Sequence, residues 1–183
     1  SYSQHVNSLA VLAGIVTGKE ATEVMMRTLS EEDLIQSTIY FRYYVHQALG
    51  KAGMGDLLLD NLQIWRDQMA LGLTTWAEMP EPSRSDCHAW GASPNIEFFR
   101  ILLGIDSKAP GFRKVRIAPS LGGLKEVSGT MPHPAGTIFA GYKVDKKGKL
   151  TARLVLPDGV TGIFIWKGEQ YELHSGEQVL SVK

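Results

Sequence analysis

One stretch of the chain concentrates residues able to do chemistry: Leu73-Thr74-Thr75-Trp76-Ala77-Glu78-Met79-Pro80-Glu81-Pro82-Ser83-Arg84-Ser85-Asp86-Cys87-His88-Ala89-Trp90. Two indoles, an imidazole, three carboxylates and a guanidinium fall in a connection too long for a plain turn, and long loops mounted on rigid elements are functional or disordered. The aromatic content argues against disorder. A carboxylate beside an indole can take a proton from water or bind a hydroxyl, while the apolar ring face stacks on the C–H face of a pyranose. The combination suits sugar handling. Cleaving a glycosidic bond takes two carboxyl groups, one as acid and one as base or nucleophile, and Glu78 supplies one candidate.

Each of these residues also has a plainer role open to it. Glu78 in a Pro-flanked loop could be a solvated surface acid, and Glu81 and Asp86 could be loop hydrogen-bonders or a cap for the following helix. Arg84 could bind a sugar hydroxyl or brace the loop through an ion pair. His88 could be a buried, hydrogen-bonded histidine, and Trp76 and Trp90 could fill the interface between loop and helix. Cys87 reads as a small buried hydrophobe. His5, His46, His133 and His174 are scattered singly without metal-ligand spacing, so no metal site and no cofactor is expected. Trp65 and Trp166 default to core positions.

The elements that must carry this loop divide the chain by periodicity. Up to about residue 107 the apolar pattern is helical. Val6, Leu9, Ala10 and Ala13 form one stripe, and Ala21, Val24, Met25 and Thr28 a second, opened by a Thr17/Glu20 capping box. Phe41, Tyr44, Val45, Ala48 and Leu49 form a third, ended by Gly50. Leu58, Leu62, Trp65 and Met69 form a fourth, ended by Gly72. A fifth helix contains Ile96, Phe99 and Leu103 and stops near Gly104. Pro94 fits only a first helical turn, so either Ser93 caps a helix starting there or a kinked helix begins near Asp86; we take the second as the expectation. Leu57, Leu59, Ile64 and Met26 add apolar surface beyond one stripe, which predicts helices covered on more than one side.

After Pro110-Gly111 the period becomes two. Arg113, Val115 and Ile117 alternate with Lys114 and Arg116, and Ile138, Ala140, Tyr142 and Val144 share one face. Turn chemistry recurs at Asp145–Gly148, Pro157–Gly159, Lys167-Gly168 and Ser175-Gly176, which predicts a sandwich or barrel of short strands.

Across 183 residues, 19 basic side chains balance 19 acidic ones, so no cationic surplus points to nucleic acid or an anionic membrane surface. No run approaches the roughly 18 apolar residues of a membrane span. A lone cysteine excludes an internal disulfide and a cysteine-rich zinc site. The start at Ser1-Tyr2 runs straight into an amphipathic pattern and reads as a cut within a longer protein.

Thr74-Thr75-Trp76-Ala77-Glu78, followed by Ser85-Asp86-Cys87-His88-Ala89-Trp90-Gly91, resembles the end of the catalytic domain of α-L-rhamnosidases of glycoside hydrolase family 78. Gly111-Phe112-Arg113-Lys114-Val115-Arg116-Ile117-Ala118-Pro119 and the Pro134-Ala135-Gly136 turn resemble the start of that family's C-terminal β-sandwich. Two details depart from the family pattern: Trp76 precedes Glu78 by two places, and the Glu78-to-His88 interval is short. The resemblance implies a fold of terminal helices of an (α/α)6 barrel (residues 1–107) followed by an antiparallel β-sandwich (residues 108–183). It implies inverting hydrolysis of terminal α-L-rhamnosides with Glu78 as general base and His88 touching sugar hydroxyls, with Trp76, Trp90 and Arg84 as further candidates for substrate contact.

The family's general acid lies on an earlier part of the barrel, and nothing in this chain resembles it. The polypeptide alone is therefore expected to be inactive, to need the remainder of its barrel as partner, and to dimerise through uncovered helix faces. Both an extracytoplasmic and a cytoplasmic bacterial setting suit the family, with the former preferred. The competing reading is a carbohydrate-binding or structural β-sandwich module with no catalytic role.

Overall fold

A computed structural model describes residues 2–183, which divide into two compact units, one up to Glu97 and the other Phe98–Lys183. The first is helical, with α1 (Gln4–Ala13), α2 (Gly18–Ser30), α3 (Ile39–Lys51), α4 (Gln63–Ala70) and a short α5 (Pro94–Glu97). Two 3-10 turns, Gly55–Leu57 and Asp60–Leu62, lead into α4.

Helix α1 starts at Ser3, whose side chain accepts from the Val6 N–H, and ends at Gly14 in the left-handed region. Its inward face is Gln4, Ser8 and Val11, whereas Val6 and Leu9 are 64% and 48% exposed. The stripe read from the sequence therefore lies on the wrong side of α1. The residue that holds the helix in place is polar. The Gln4 side-chain amide donates to the Thr28 carbonyl and to Gln36 Oε1, while its own oxygen accepts from the Ser37 N–H and hydroxyl. All four of its hydrogen-bonding positions are thus used, which is what lets an amide be buried.

In α2 the expected stripe holds, with Ala21, Met25 and Thr28 buried. Its N-terminus departs from expectation: the Thr17 side chain makes no capping bond. Helix α3 buries Ile39, Val45, His46, Ala48 and Leu49. Val11, Ala21, Met25, Val45, Ala48, Leu49 and Met54 form the core of the unit. In α4 Trp65 is inside but Met69 is 62% exposed. The last helix begins at Pro94, preceded by a 3-10 turn at Ala89–Ala92. The kinked start near Asp86 is thus not what forms, because Pro94 occupies the first turn, where its missing N–H costs nothing.

In the second unit a wide turn, Phe98–Leu102, closes with Leu103 N–H to the Phe98 carbonyl. Phe99 and Leu103 pack on the sheet core, so this segment, which the sequence reading grouped with the helices, packs with the strands. Eight strands follow: β1 (Ile105–Ser107), β2 (Lys114–Ile117), β3 (Glu126–His133), β4 (Gly136–Val144), β5 (Leu150–Leu156), β6 (Thr161–Trp166), β7 (Glu169–Leu173) and β8 (Gly176–Val182). They form two four-stranded sheets, ordered β1-β2-β6-β7 and β3-β4-β5-β8.

Alternation works as expected here. Ile138, Ala140 and Tyr142 of β4 and Leu150, Ala152, Leu154 and Leu156 of β5 meet Val115, Ile117 and Phe164 in one core. The Tyr142 hydroxyl, deep in it, donates to the Leu103 carbonyl at 2.7 Å, and burial pushes its pKa far up. Lys167 and Gly168, both with positive φ, make the two-residue hairpin joining β6 to β7.

The purely antiparallel expectation fails at one pair. β2 and β6 run parallel, with Val115 opposite Gly162; a Cβ at Gly162 would come within 2.2 Å of the Val115 carbonyl oxygen. Three intervening strands of the other sheet separate β2 from β6 in sequence, and a long crossover of that kind allows parallel pairing, which a tight hairpin does not.

Candidate functional site

The loop between α4 and α5 is an ordered hairpin. The His88 N–H donates to the Trp76 carbonyl at 2.7 Å and the Glu78 N–H to the Ser85 carbonyl at 2.9 Å. The Thr75 hydroxyl donates to the Asp86 carbonyl, and the Ser83 hydroxyl to the Ser85 carbonyl. The base of the hairpin is tied to α4, where Gln68 Oε1 accepts the N–H of buried Ala77. On the other side the Trp65 indole N–H donates to the Gly91 carbonyl at 2.6 Å. Gly91 has no room for a side chain, because a Cβ there would fall 2.5 Å from the Trp76 Cβ and 3.5 Å from Ile39 Cγ2. The hairpin, the turn after it and the first turn of α3 therefore meet at one glycine.

Glu78 sits on this frame with its side chain 16% exposed. Arg84, from the descending arm, donates from Nε to Glu78 Oε2 at 3.0 Å and from a terminal nitrogen to Oε1. The guanidinium itself is 73% exposed, and its hydrogen bonds to Glu78, then the carboxylate charge, raise the Arg84 pKa. Fork-to-fork pairing of this sort fixes the carboxylate plane.

His88 lies at the opposite end of the hairpin, with Nδ1 buried and without a hydrogen-bond partner. Its ring is 4.5 Å from that of Trp90, and Trp90 is 49% exposed. Trp76 and His88 are paired, and Glu78 follows Trp76 by two residues, roughly 7 Å along an extended chain. The hairpin thus carries Glu78 with Arg84, and Trp76 paired with His88, on successive parts of one frame, with Trp90 against His88.

Two further sets of residues adjoin this frame. Tyr40, at the start of α3, places its ring 5.0 Å from Trp90 and 6.2 Å from Tyr44; a hydrogen bond with Tyr40 raises the Tyr44 pKa. Beneath, His46 Nδ1 and Glu97 Oε2 lie 2.6 Å apart with both side chains fully buried, and the His46 ring is 5.6 Å from Trp65. Neither set stood out in the sequence. Tyr40 and Trp90 are fifty positions apart. For His46 and Glu97 the available signal was a polar residue inside an otherwise apolar helical face.

The remaining candidates occupy plainer positions. Cys87 is exposed, not a buried hydrophobe, because the hairpin turns it away from the body of the unit. Asp86 caps no helix, since α5 begins eight residues later; its carbonyl serves Thr75 instead. Glu81 accepts only a long bond from the Ser83 N–H. Trp65 is core, and Trp166 packs partly buried against the sheet core. Among the described residues no cluster of three or more His, Cys, Asp or Glu could hold a metal ion. No helix among them is long and apolar enough to cross a membrane. In the sheet unit Tyr142 and Phe164 are buried, Phe112, Trp166 and Tyr171 pack on the core, and Phe139 lies under the Arg153 guanidinium. No sheet face there offers a row of open aromatic rings.

Residues 104–181 match the family described as the bacterial alpha-L-rhamnosidase C-terminal domain. Among solved structures, the α-L-rhamnosidase of Aspergillus terreus is similar over 99% of this chain and 24% of its own, with a TM-score of 0.85 and 16% identity. A family 78 rhamnosidase of Bacillus sp. GL1 is similar over 89% of this chain and 20% of its own, with a TM-score of 0.75 and 28% identity. A Streptomyces avermitilis α-L-rhamnosidase, solved with L-rhamnose, is similar over 98% of this chain and 21% of its own, with a TM-score of 0.79 and 16% identity. No curated protein sequence matches. The chain thus spans between a fifth and a quarter of the length of these proteins. Residues 104–181 are thus similar to the bacterial α-L-rhamnosidase C-terminal domain, and over 89–99% of its length the chain has the fold of part of these α-L-rhamnosidases.

Proposed function

We propose that this chain is the base-bearing end of a glycoside hydrolase that cleaves terminal α-L-rhamnosides with inversion, its helices closing an (α/α)6 barrel and Glu78 acting as the general base. The observation that carries the reading is the placement of Glu78: a largely buried carboxylate, oriented by Arg84, on an ordered hairpin whose other arm holds His88. In an inverting reaction water attacks the anomeric carbon from the face opposite the leaving oxygen. The base takes a proton from that water, and the partner acid, roughly 6.5–9.5 Å away, protonates the leaving group. Glu78 would be the proton acceptor. The acid would come from a part of the barrel that precedes this chain.

The surrounding residues fit subordinate roles. Arg84 holds the carboxylate aligned; being mostly in water it can release one oxygen to the nucleophilic water at little cost. His88 has a buried ring nitrogen with no protein partner, and a sugar hydroxyl would satisfy it. Trp76 and Trp90 would offer apolar ring surface to C–H faces of the bound saccharide. The partners are then a rhamnoside and the rest of the barrel, and the outward aliphatic side chains Val6, Leu9, Met69 and Leu71 are what the preceding helices would cover.

The test is Glu78→Gln in the complete enzyme, which keeps the size but removes the proton acceptor and one of the two oxygens that accept from Arg84. Release of rhamnose from an aryl rhamnoside should fall by about 10² to 10⁴-fold. Turnover within a fewfold of the parent would leave Glu78 a surface acid and favour a structural module.

A further inference from the structure

We propose that Tyr40, Tyr44 and Trp90 form an aromatic shelf that binds a second sugar ring, the leaving-group pyranose of an α-rhamnosyl disaccharide, next to the sugar that is cleaved. The proposal rests on the reading of Glu78 and His88 given above and adds a specificity determinant to it. Tyr40 and Trp90 are 46% and 49% exposed, yet both are held firmly. Trp90 precedes Gly91, whose carbonyl is fixed by Trp65 and whose α-carbon is wedged between Trp76 and Ile39. Tyr40 follows Ile39, which is fully buried in the first turn of α3. The two rings are therefore set by the same glycine contact that seats the hairpin bearing Glu78, and the His88 ring is 4.5 Å from that of Trp90.

The kind of surface identifies the occupant. Where α1 leaves apolar groups outward they are aliphatic, Val6 and Leu9, as suits a covering helix. Around Trp90 the outward groups are phenol, indole and imidazole, each with a ring face and a polar edge, which is the pairing a sugar presents with its C–H faces and hydroxyls. The Tyr40 and Trp90 ring planes meet at 56°, giving two inclined faces that fit a puckered pyranose and not the parallel slot that a flat polyphenol requires.

The complete enzyme is assayed with a rhamnosyl-glucose disaccharide, methyl α-L-rhamnoside and an aryl rhamnoside. In Tyr40→Ala, the kcat/KM ratio of disaccharide to methyl rhamnoside should fall about tenfold, the scale of one lost ring contact. Tyr40→Phe, which keeps the ring face, should retain the ratio. Should the alanine variant melt early, Tyr40→Leu keeps bulk without a π face and should show the same fall. An unchanged ratio in a folded variant overturns the shelf, as does a fall confined to the aryl rhamnoside. Failure of the underlying reading looks different: Glu78→Gln would then retain turnover on all three substrates.

Discussion

The two units solve burial in opposite ways. Of the thirteen large apolar side chains exposed among the described residues, eleven lie in the helical unit and two, Leu124 and Val179, in the sheet unit. Buried polar atoms without a hydrogen-bond partner divide the same way: Trp166 Nε1 is in the sheet unit, and Ser8, Arg42, His46, Gln47, Gln68, His88, Ser93 and Glu97 are in the helical one. In the sheets, two inner faces of alternating residues close one apolar core, and its deep hydroxyl, that of Tyr142, is satisfied. The helical unit spends its burial on polar ties, Gln4 to Ser37 and His46 to Glu97, and leaves aliphatic surface outside. The sheet unit closes its own core, whereas the helical unit holds a built loop and keeps much of its apolar surface outside.

The largest effect is expected from separating the two units. Residues 98–183 expressed alone should unfold in one cooperative thermal transition. Residues 2–97 alone should bind an apolar dye and self-associate in light scattering, because the Val6 and Leu9 face has no cover. A monomeric, dye-silent helical piece would remove the contrast.

A smaller effect is expected at the buried pair. His46→Ala strands the Glu97 carboxyl without its partner and should lower the unfolding free energy of the chain by about 3–5 kcal/mol in a denaturant titration. The double change His46→Met with Glu97→Met should be far milder, since both polar groups leave together. Equal losses in the two variants would mean that packing, not the pair, carries the stability.

The least effect belongs to the surface of the sheets. Arg153 donates to both oxygens of Glu177, and that hydrogen bonding, then the charge, lowers the Glu177 pKa. A depressed carboxylate contributes stability above its unfolded pKa and loses it as the pH falls through the folded one. Glu177→Gln should therefore be slightly less stable than the parent at neutral pH, with the difference shrinking as the pH is lowered below the usual carboxylate range, in thermal melts across that range. A difference that does not shrink in acid would contradict the assignment.

How much of this could be read from the sequence follows the same division. The inner face of β4 was plain, because period-two alternation of Ile138, Ala140 and Tyr142 is sampled over a whole strand. The parallel β2–β6 pair was not, since pairing partners separated by a second sheet leave no local trace except Gly162. In α1 the reading chose the apolar side, and the structure turns that side out; apolar periodicity marks a helix but cannot say whether its cover is present. The hairpin around Glu78 was visible as a cluster of residue types, and the family resemblance suggested the role proposed for it. Tyr40, Gln68 and the His46–Glu97 pair were invisible, because their meaning lies in contacts between distant positions. Cys87 was misplaced for the converse reason: free cysteine favours the interior on average, and one hairpin decides otherwise.

The claim on which the account depends is that the Glu78 carboxylate takes the proton of the attacking water. In the complete enzyme with Glu78→Ala, azide should restore cleavage of an activated aryl rhamnoside, because an anionic nucleophile needs no base, and NMR should show the product as β-L-rhamnosyl azide, inverted at the anomeric carbon. Loss of activity that azide does not restore, or a product that keeps the α configuration, would contradict the assignment.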